Sequence, residues 1–193
     1  RAKKLGLSHR AAYDALAVQL VRRLLEFAVP GRPEAKLLML HASNQKTSNT
    51  LALGRRVCQL LSGQVQTREL SLRNGTIHDC NGCSYRVCAH FAERGGCFYG
   101  GAMVEDVYPA VLESDALLVL CPNYNDALSA NIMAFINRLT SLTVNNLLQG
   151  KQLFSIVVSG YSGGDLVAQQ LLGALCLNKA FTLPPHCCML ETA

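Results

Sequence analysis

An apolar run followed by a polar loop and then a helix pattern, over residues 115–138, constrains the fold of this chain most. Residues 116–120 are all apolar, which is typical of a strand buried on both faces of a sheet. The run stops at Cys121-Pro122, and a helical pattern begins at Ser129. A strand, a loop and a helix in this order put the loop at the carboxyl end of a parallel strand, where open α/β sheets bind their ligands.

The rest of the chain alternates in the same way, which predicts an α/β fold with a doubly wound parallel sheet. We predict strands at 37–40, 65–70, 116–120, 153–158 and, weakly, 188–190, and helices at 50–61, 105–113, 129–139 and 165–177. A further helix, capped by Ser8 and running to about residue 27, comes before a Pro-Gly break. We therefore divide the chain into an N-terminal helical extension, 1–35, and one domain, 36–193.

Charge and cysteine usage exclude some classes of function. Residues 1–36 hold eight Lys and Arg against three Asp and Glu, whereas residues 37–193 hold ten of each. A nucleic-acid site needs a basic face on the folded body, so we predict no nucleic-acid partner. Nine cysteines, with no apolar run long enough to span a bilayer, predict a cytoplasmic protein with no membrane partner.

The loop after the first strand is suited to a phosphate group. Residues 42–50 read A-S-N-Q-K-T-S-N-T and lead directly into a predicted helix. The amino end of a helix offers N–H groups and a positive dipole, which favour an anion. The loop lacks the G-x-x-x-x-G-K-S/T pattern of a Walker loop. The alternative is an ordinary polar turn in which Ser48 or Asn49 caps the helix.

The loops after the third and fourth strands are suited to a flat ring. Residues 158–165 hold three glycines within five positions, which lets backbone N–H groups approach a planar ligand. The alternatives are a flexible turn there and, in residues 122–127, a surface aromatic at Tyr124. Because all three loops follow parallel strands, they meet at one edge of the sheet. One phosphate loop and two ring loops together predict bound FMN.

Three segments also match, in order, the motifs of one known family. The first loop matches the motif G-S-P-R-x-x-G-N-T at Ser43, Asn49 and Thr50. The segment 121–138 matches the motif S-P-x-Y-x-x-x-x-S-A-x-x-K-x-F-I-D-R at Pro122, Tyr124, Ser129, Ala130, Phe135, Ile136 and Arg138. The stretch between them matches C-x-G-C, C and D-D-M at Cys80, Cys83, Cys97 and residues 103–106. The chain thus resembles the flavodoxin-like NADPH-dependent FMN reductase family, including its iron–sulfur flavoprotein branch.

The resemblance implies a flavodoxin-like fold and a set of residues that hold FMN. The phosphate would lie at Ser43, Gln45, Ser48, Asn49 and Thr50, and the ring between Pro122, Asn123, Tyr124 and Asn125 on one side and Ser159, Gly160, Tyr161 and Gly164 on the other. The family's Gly, Pro and Arg of the first loop are Ala42, Asn44 and Gln45 here, with Lys46 as a basic substitute. The chain ends soon after Ala180, which predicts a shortened or missing last strand and helix.

The resemblance also implies an enzyme whose chemistry belongs to the flavin. NAD(P)H would pass a hydride to FMN, and a quinone, nitro, azo or flavin acceptor would then take the electrons in the same slot, so we predict no catalytic residue of the chain itself. A homodimer or homotetramer is the assembly implied. The alternatives are an FMN electron-transfer protein, with or without an iron–sulfur cluster, that serves protein partners, and a redox-sensing module without catalysis.

Residues 73–104 are predicted to form a long loop, a cysteine-rich insertion that leaves several interpretations open. Cys80, Cys83, Cys88 and Cys97 could together hold a 4Fe-4S cluster or a tetrahedral zinc ion. Their spacing is looser than the C-x2-C-x2-C run of the iron–sulfur branch. The other readings are a redox-active pair, Cys80 and Cys83, or small buried residues without a chemical role.

Overall fold

The computed structural model describes residues 3, 6–26, 34–43, 47–73, 77–177 and 180–192. The helices are α1 (His9–Glu26), α2 (Asn49–Leu61), α3 (Tyr85–Ala92), α4 (Tyr108–Glu113), α5 (Ala130–Arg138), α6 (Thr140–Val144) and α7 (Gly164–Leu175), and the strands are β1 (Ala35–His41), β2 (Val65–Ser71), β3 (Ala116–Pro122), β4 (Gln152–Ser159) and β5 (Cys188–Thr192). The strands form one parallel sheet in the order β2-β1-β3-β4-β5. This topology confirms the predicted flavodoxin-like α/β fold.

Each face of the sheet is covered by its own layer of helices. On one face, Leu40 of β1 and Val119 of β3 belong to a buried cluster that includes Phe135 of α5. On the other face, Met39 and Leu118 belong to a second cluster that includes residues of α1 and α2. Successive side chains of a strand point to opposite faces, so a strand covered on both sides must be apolar throughout. This is why β1, β3 and β4 stood out in the sequence, whereas the edge strand β2 is mostly exposed and polar.

Helix α1 packs into the second face of the domain. Ser8 caps it as predicted, because its Oγ accepts a hydrogen bond from the Ala11 N–H at 3.1 Å. The stripe that faces inward includes Leu20, which is fully buried. An ion pair joins α1 to α2, with Arg56 Nε lying 2.7 Å from Asp14 Oδ1. In the described part of the chain, no helix is long and apolar enough to cross a bilayer.

The prediction that residues 73–104 form a loop is wrong in part, because this segment contains α3. The segment is held against the body by hydrogen bonds from Asn145 Nδ2 to the Ala92 carbonyl at 2.6 Å and from Arg138 Nη2 to the Gly100 carbonyl at 2.8 Å. Tertiary contacts of this kind leave no periodic signal in the sequence.

Two more helices differ from the prediction. The helix predicted at 105–113 starts earlier, as a π-helical turn over Met103–Val107 that continues into α4. The short helix α6 was not predicted, since five residues hold too few apolar positions to show a period.

Candidate functional site

The three loops singled out in the sequence follow three neighbouring strands. β1 pairs with β3, and β3 pairs with β4, in both cases in parallel. The carboxyl ends of β1, β3 and β4 therefore lie along one edge of the sheet, and the loops that begin there share that edge. This edge is the candidate site.

In the first loop, the amino end of α2 is the part best placed to bind an anion. Ser48 is the N-cap residue, and its Oγ accepts a hydrogen bond from the Leu51 N–H at 3.3 Å. Ser43 is half-buried, Asn49 is exposed and Thr50 is only 3% exposed. The Ser48 side chain is thus engaged in the cap, and the backbone N–H groups of the first helical turn are the donors that a helix leaves without an internal partner. The predicted contact Gln45 lies outside the described residues.

The second and third loops are tied together by the side chain of Asn123. Its Nδ2 lies 3.1 Å from Ser159 Oγ and 2.8 Å from the Ser162 carbonyl oxygen, both in the third loop. Its backbone N–H donates to the Val158 carbonyl at 2.8 Å, which extends the pairing of β3 with β4. One carboxamide therefore fixes the spacing between the two loops that we predict to hold the ring.

Asp126 and Gly163 lie close together where these two loops meet. Asn123 Nδ2 lies 2.9 Å from Asp126 Oδ1, and Asn123 Oδ1 accepts from the Asp126 N–H at 2.8 Å. Gly163 has a φ of +76°, and a Cβ at this position would stand 1.7 Å from Asp126 Oδ1. Only glycine fits there without a shift of the Asp126 side chain. Gln170 of α7 supports the same turn, because its Nε2 donates to the Asp126 carbonyl at 2.9 Å.

The rim of the site presents open backbone and exposed aromatic rings. Tyr124 is 58% exposed and Tyr161 is 94% exposed. A Cβ built on Gly160 would meet no atom within 4 Å. Pro122 ends β3, Asn125 lies in the loop that follows, and Gly164 begins α7. The two loops that carry the predicted ring contacts are thus neighbours, joined by the hydrogen bonds from Asn123.

A buried histidine with two exposed charged partners, which we did not predict, lies next to the first loop. His41, the last residue of β1, is 4% exposed, and its Nε2 lies 3.1 Å from Glu69 Oε1 on β2. Arg55 of α2 binds the same carboxylate through Nη2 at 2.7 Å and Nε at 3.0 Å. Burial lowers the pKa of His41, and the hydrogen bond from Arg55 lowers the pKa of Glu69. The available signal was a histidine at the end of an apolar run, directly before the predicted phosphate loop.

Comparison of the sequence with models of known protein families identifies the family of this chain. The family described as NADPH-dependent FMN reductase matches residues 35–193, which is most of the chain. The chain belongs to the NADPH-dependent FMN reductase family. This membership confirms the resemblance found in the sequence and the class of enzyme that it implied, an NAD(P)H-dependent FMN oxidoreductase. No curated protein matches this family member.

Solved structures of several flavoproteins share the fold of this FMN reductase family member. A structure of RosB with bound 8-demethyl-8-formylriboflavin-5'-phosphate has 16% identity and a TM-score of 0.66, over 82% of this chain and 66% of that one. Apo NADH:FMN oxidoreductase, EMOB, has 14% identity and a TM-score of 0.57, over 82% and 75%. FerB, an NAD(P)H:acceptor oxidoreductase from Paracoccus denitrificans, has 18% identity and a TM-score of 0.54, over 77% and 74%. The chain spans just under two thirds of the RosB structure, and these likenesses show a common fold.

The cysteine-rich insertion gives no support to the metal centre that the iron–sulfur branch of the family suggests. Cys80 is exposed, whereas Cys83, Cys88 and Cys97 are half-buried. Burial, followed by the neighbouring Cys83 thiol, raises the pKa of Cys88. Within the described ranges, which include all four of these cysteines, no three His, Cys, Asp or Glu side chains are placed to hold a metal ion. Neither the 4Fe-4S cluster nor the zinc site is therefore supported, and the redox-active pair stays a prediction.

Two cavities of this FMN reductase family member lie away from the three loops. The larger, of about 500 Å³, lies among the ends of α5, α6 and α7 and is lined by residues such as Leu139 and Phe181. The smaller, of about 240 Å³, includes Lys36 and Gln66 at the beginnings of β1 and β2. None of the predicted FMN contacts lines either cavity.

Proposed function

We propose that this protein is an FMN-dependent NAD(P)H oxidoreductase that passes electrons from a nicotinamide to quinone, nitro, azo or flavin acceptors. The observation that carries the proposal is the set of hydrogen bonds from Asn123 to Ser159 and Ser162. They join the two loops that we predict to hold the flavin ring. These loops lie at the edge of the sheet where α2 also begins. Family membership supports both FMN and the nicotinamide as the molecules involved.

The first loop would hold the phosphate of FMN. The backbone N–H groups at Asn49 and Thr50 begin a helix whose own carbonyls cannot reach them, and the helix dipole adds a favourable field. Ser43 and Ser48 come before this anchor in the loop, and the sequence places Gln45 between them. Since Ser48 already caps the helix, its contribution is to hold the first turn in place.

The second and third loops would hold the ring and control access to it. Pro122, Asn123, Tyr124 and Asn125 would form one wall, and Ser159, Gly160, Tyr161 and Gly164 the other. Bound FMN would supply the chemistry, because it takes up a hydride and releases electrons. The chain contributes position and access: Asn123 sets the separation of the walls, and the exposed Tyr161 leaves one side open to a nicotinamide and then to an acceptor.

The proposal predicts that the protein binds FMN and that NADH or NADPH reduces the bound flavin. Protein saturated with FMN is mixed anaerobically with either nicotinamide while the visible flavin absorbance is followed. We expect the absorbance to bleach in a single turnover and to return when a quinone, nitro or azo compound is added. Protein that takes up no FMN would refute the proposal. FMN that binds tightly but is not reduced by either nicotinamide would favour the alternative electron-transfer role.

The assembly and the choice of acceptor are further parts of the proposal. We propose a homodimer or homotetramer, the assembly that the family resemblance implies, in which a second subunit would cover the exposed Tyr124 and Tyr161. Native mass measured with and without FMN tests the assembly. A panel of acceptors assayed at fixed NADPH ranks the acceptor classes, and the cytoplasmic location stays a prediction.

A further inference from the structure

The ring of His41 is buried, and only one of its two nitrogen atoms makes a hydrogen bond. Nε2 lies 3.1 Å from Glu69 Oε1, whereas Nδ1 is buried without a partner of hydrogen-bond geometry. The residue as a whole is only 4% exposed. Buried polar atoms in native proteins nearly always have partners, so an exception points to a ligand or a functional role.

The position of His41 connects it with the proposed phosphate loop. It is the last residue of β1, and the loop begins with the next residue. Its side chain shares the face of Met39, which is the face that α2 covers. The backbone of Ser43, a predicted phosphate contact, lies close enough to the ring to favour its protonated form.

The charges that surround the imidazole balance one another while the ring is neutral. Glu69 faces the imidazole from β2 and Arg55 faces it from α2. These two residues form a bidentate ion pair. Cys58, the other titratable group of α2 near Glu69, is held as a neutral thiol because burial raises its pKa to about 11. Burial has the largest effect on the pKa of His41 and lowers it. The carboxylate of Glu69 raises this pKa, and the positive charge of Arg55 lowers it further. The ring is therefore mostly neutral near pH 7 when no anion is present.

We propose that His41 takes up one proton when a phosphate monoester dianion binds at the first loop. The inference rests on the proposed function. The proton comes from solvent and goes to Nδ1, no bond in the ligand breaks, and the positive ring then faces an added negative charge. A charge of opposite sign within a few ångströms favours the protonated form. This charge would make up for Gln45, which stands where the family's loop has arginine.

Proton counting by calorimetry tests the inference on the intact protein. FMN is titrated into the flavin-free protein at pH 7.5 in two buffers that differ in their heat of ionisation. At this pH a phosphate monoester, with a second pKa of about 6, is already almost entirely a dianion and has no proton to release. We expect uptake of a measurable fraction of one proton per FMN, and none when riboflavin, which lacks the phosphate, is the ligand.

Two histidine variants separate the roles. His41→Gln should bind FMN without proton uptake, whereas His90→Gln, on exposed α3, should behave like the wild type. As the pH falls from 8.5 to 6.5, the FMN affinity of the wild type should rise about tenfold relative to His41→Gln, because a group whose pKa is raised in the complex favours binding at lower pH.

The outcomes distinguish this inference from the proposed function. Equal proton uptake in the wild type and in His41→Gln overturns the inference, as does equal uptake with FMN and with riboflavin. If His41→Gln does not fold, the comparison of FMN with riboflavin on the wild type decides alone. FMN that binds and is reduced without proton uptake rejects only the role of His41, whereas protein that binds no FMN rejects the proposed function.

Discussion

Replacing Gly163 with alanine should weaken FMN binding by about tenfold or more, which corresponds to at least about 1.4 kcal/mol. Gly163 has a φ of +76°, a conformation that costs a residue with a Cβ about 1–2 kcal/mol. The added methyl group would also stand 1.7 Å from Asp126 Oδ1, so the carboxylate must leave its place. Asn123 then loses one of the contacts that set the spacing of the ring loops. Fluorescence titration of FMN measures the affinity.

A matched variant and a rescue variant show whether the effect is local. Gly173→Ala lies on α7, the same helix that Gly163 caps, and its Cβ would meet no atom within 4 Å. In a helix interior this change should raise stability by about 0.5–1 kcal/mol and leave FMN affinity unchanged. Adding Asp126→Ala to Gly163→Ala removes the clash, but it neither relieves the backbone strain nor restores the Asn123 contact with the carboxylate, so only part of the affinity should return. Unchanged affinity in Gly163→Ala would show that the contact between the two loops does not shape the site.

The sequence was most informative where burial alone decides the structure. Residues 116–120 could be predicted as a strand because a strand covered on both faces has to be apolar throughout. The cap at Ser8 could be predicted because its partner, Ala11, is three residues away. The sheet edge that carries the candidate site followed from the order of strands and helices, since parallel strands bring their carboxyl ends together.

Interactions between distant parts of the chain could not be predicted in this way. Asn123 was predicted as a contact of the ring, but its role in joining two loops could not be predicted, because Ser159, its partner, lies 36 residues further along. His41 looked like the end of a strand, and its partner Glu69 is 28 residues away on β2. The helix within the cysteine-rich insertion depends on Asn145, which is separated from Ala92 by 53 residues. Local patterns predict local structure, whereas these side chains acquire their roles only when the strands pair.

Replacing Leu20 of α1 with alanine should lower the free energy of unfolding by about 2–5 kcal/mol. Leu20 is fully buried and belongs to the cluster formed by α1, α2 and the second face of the sheet. Removing its branched end deletes buried apolar surface and leaves a cavity, because residues on a sheet cannot move in to fill the space. Urea denaturation followed by circular dichroism measures the change, with the midpoint expected to fall at an unchanged slope.

Val18 provides the control on the same helix, because its side chain is 37% exposed. Val18→Ala should change the free energy of unfolding by no more than about 0.5 kcal/mol. A similarly small decrease in the free energy of unfolding of both variants would mean that α1 does not contribute to the core. A large decrease in the free energy of unfolding in Leu20→Ala alone would show that α1 is part of the domain. The reason is geometric: Phe154 and Met189, on β4 and β5, belong to the same cluster, so a weaker α1 would open this face of the sheet to water.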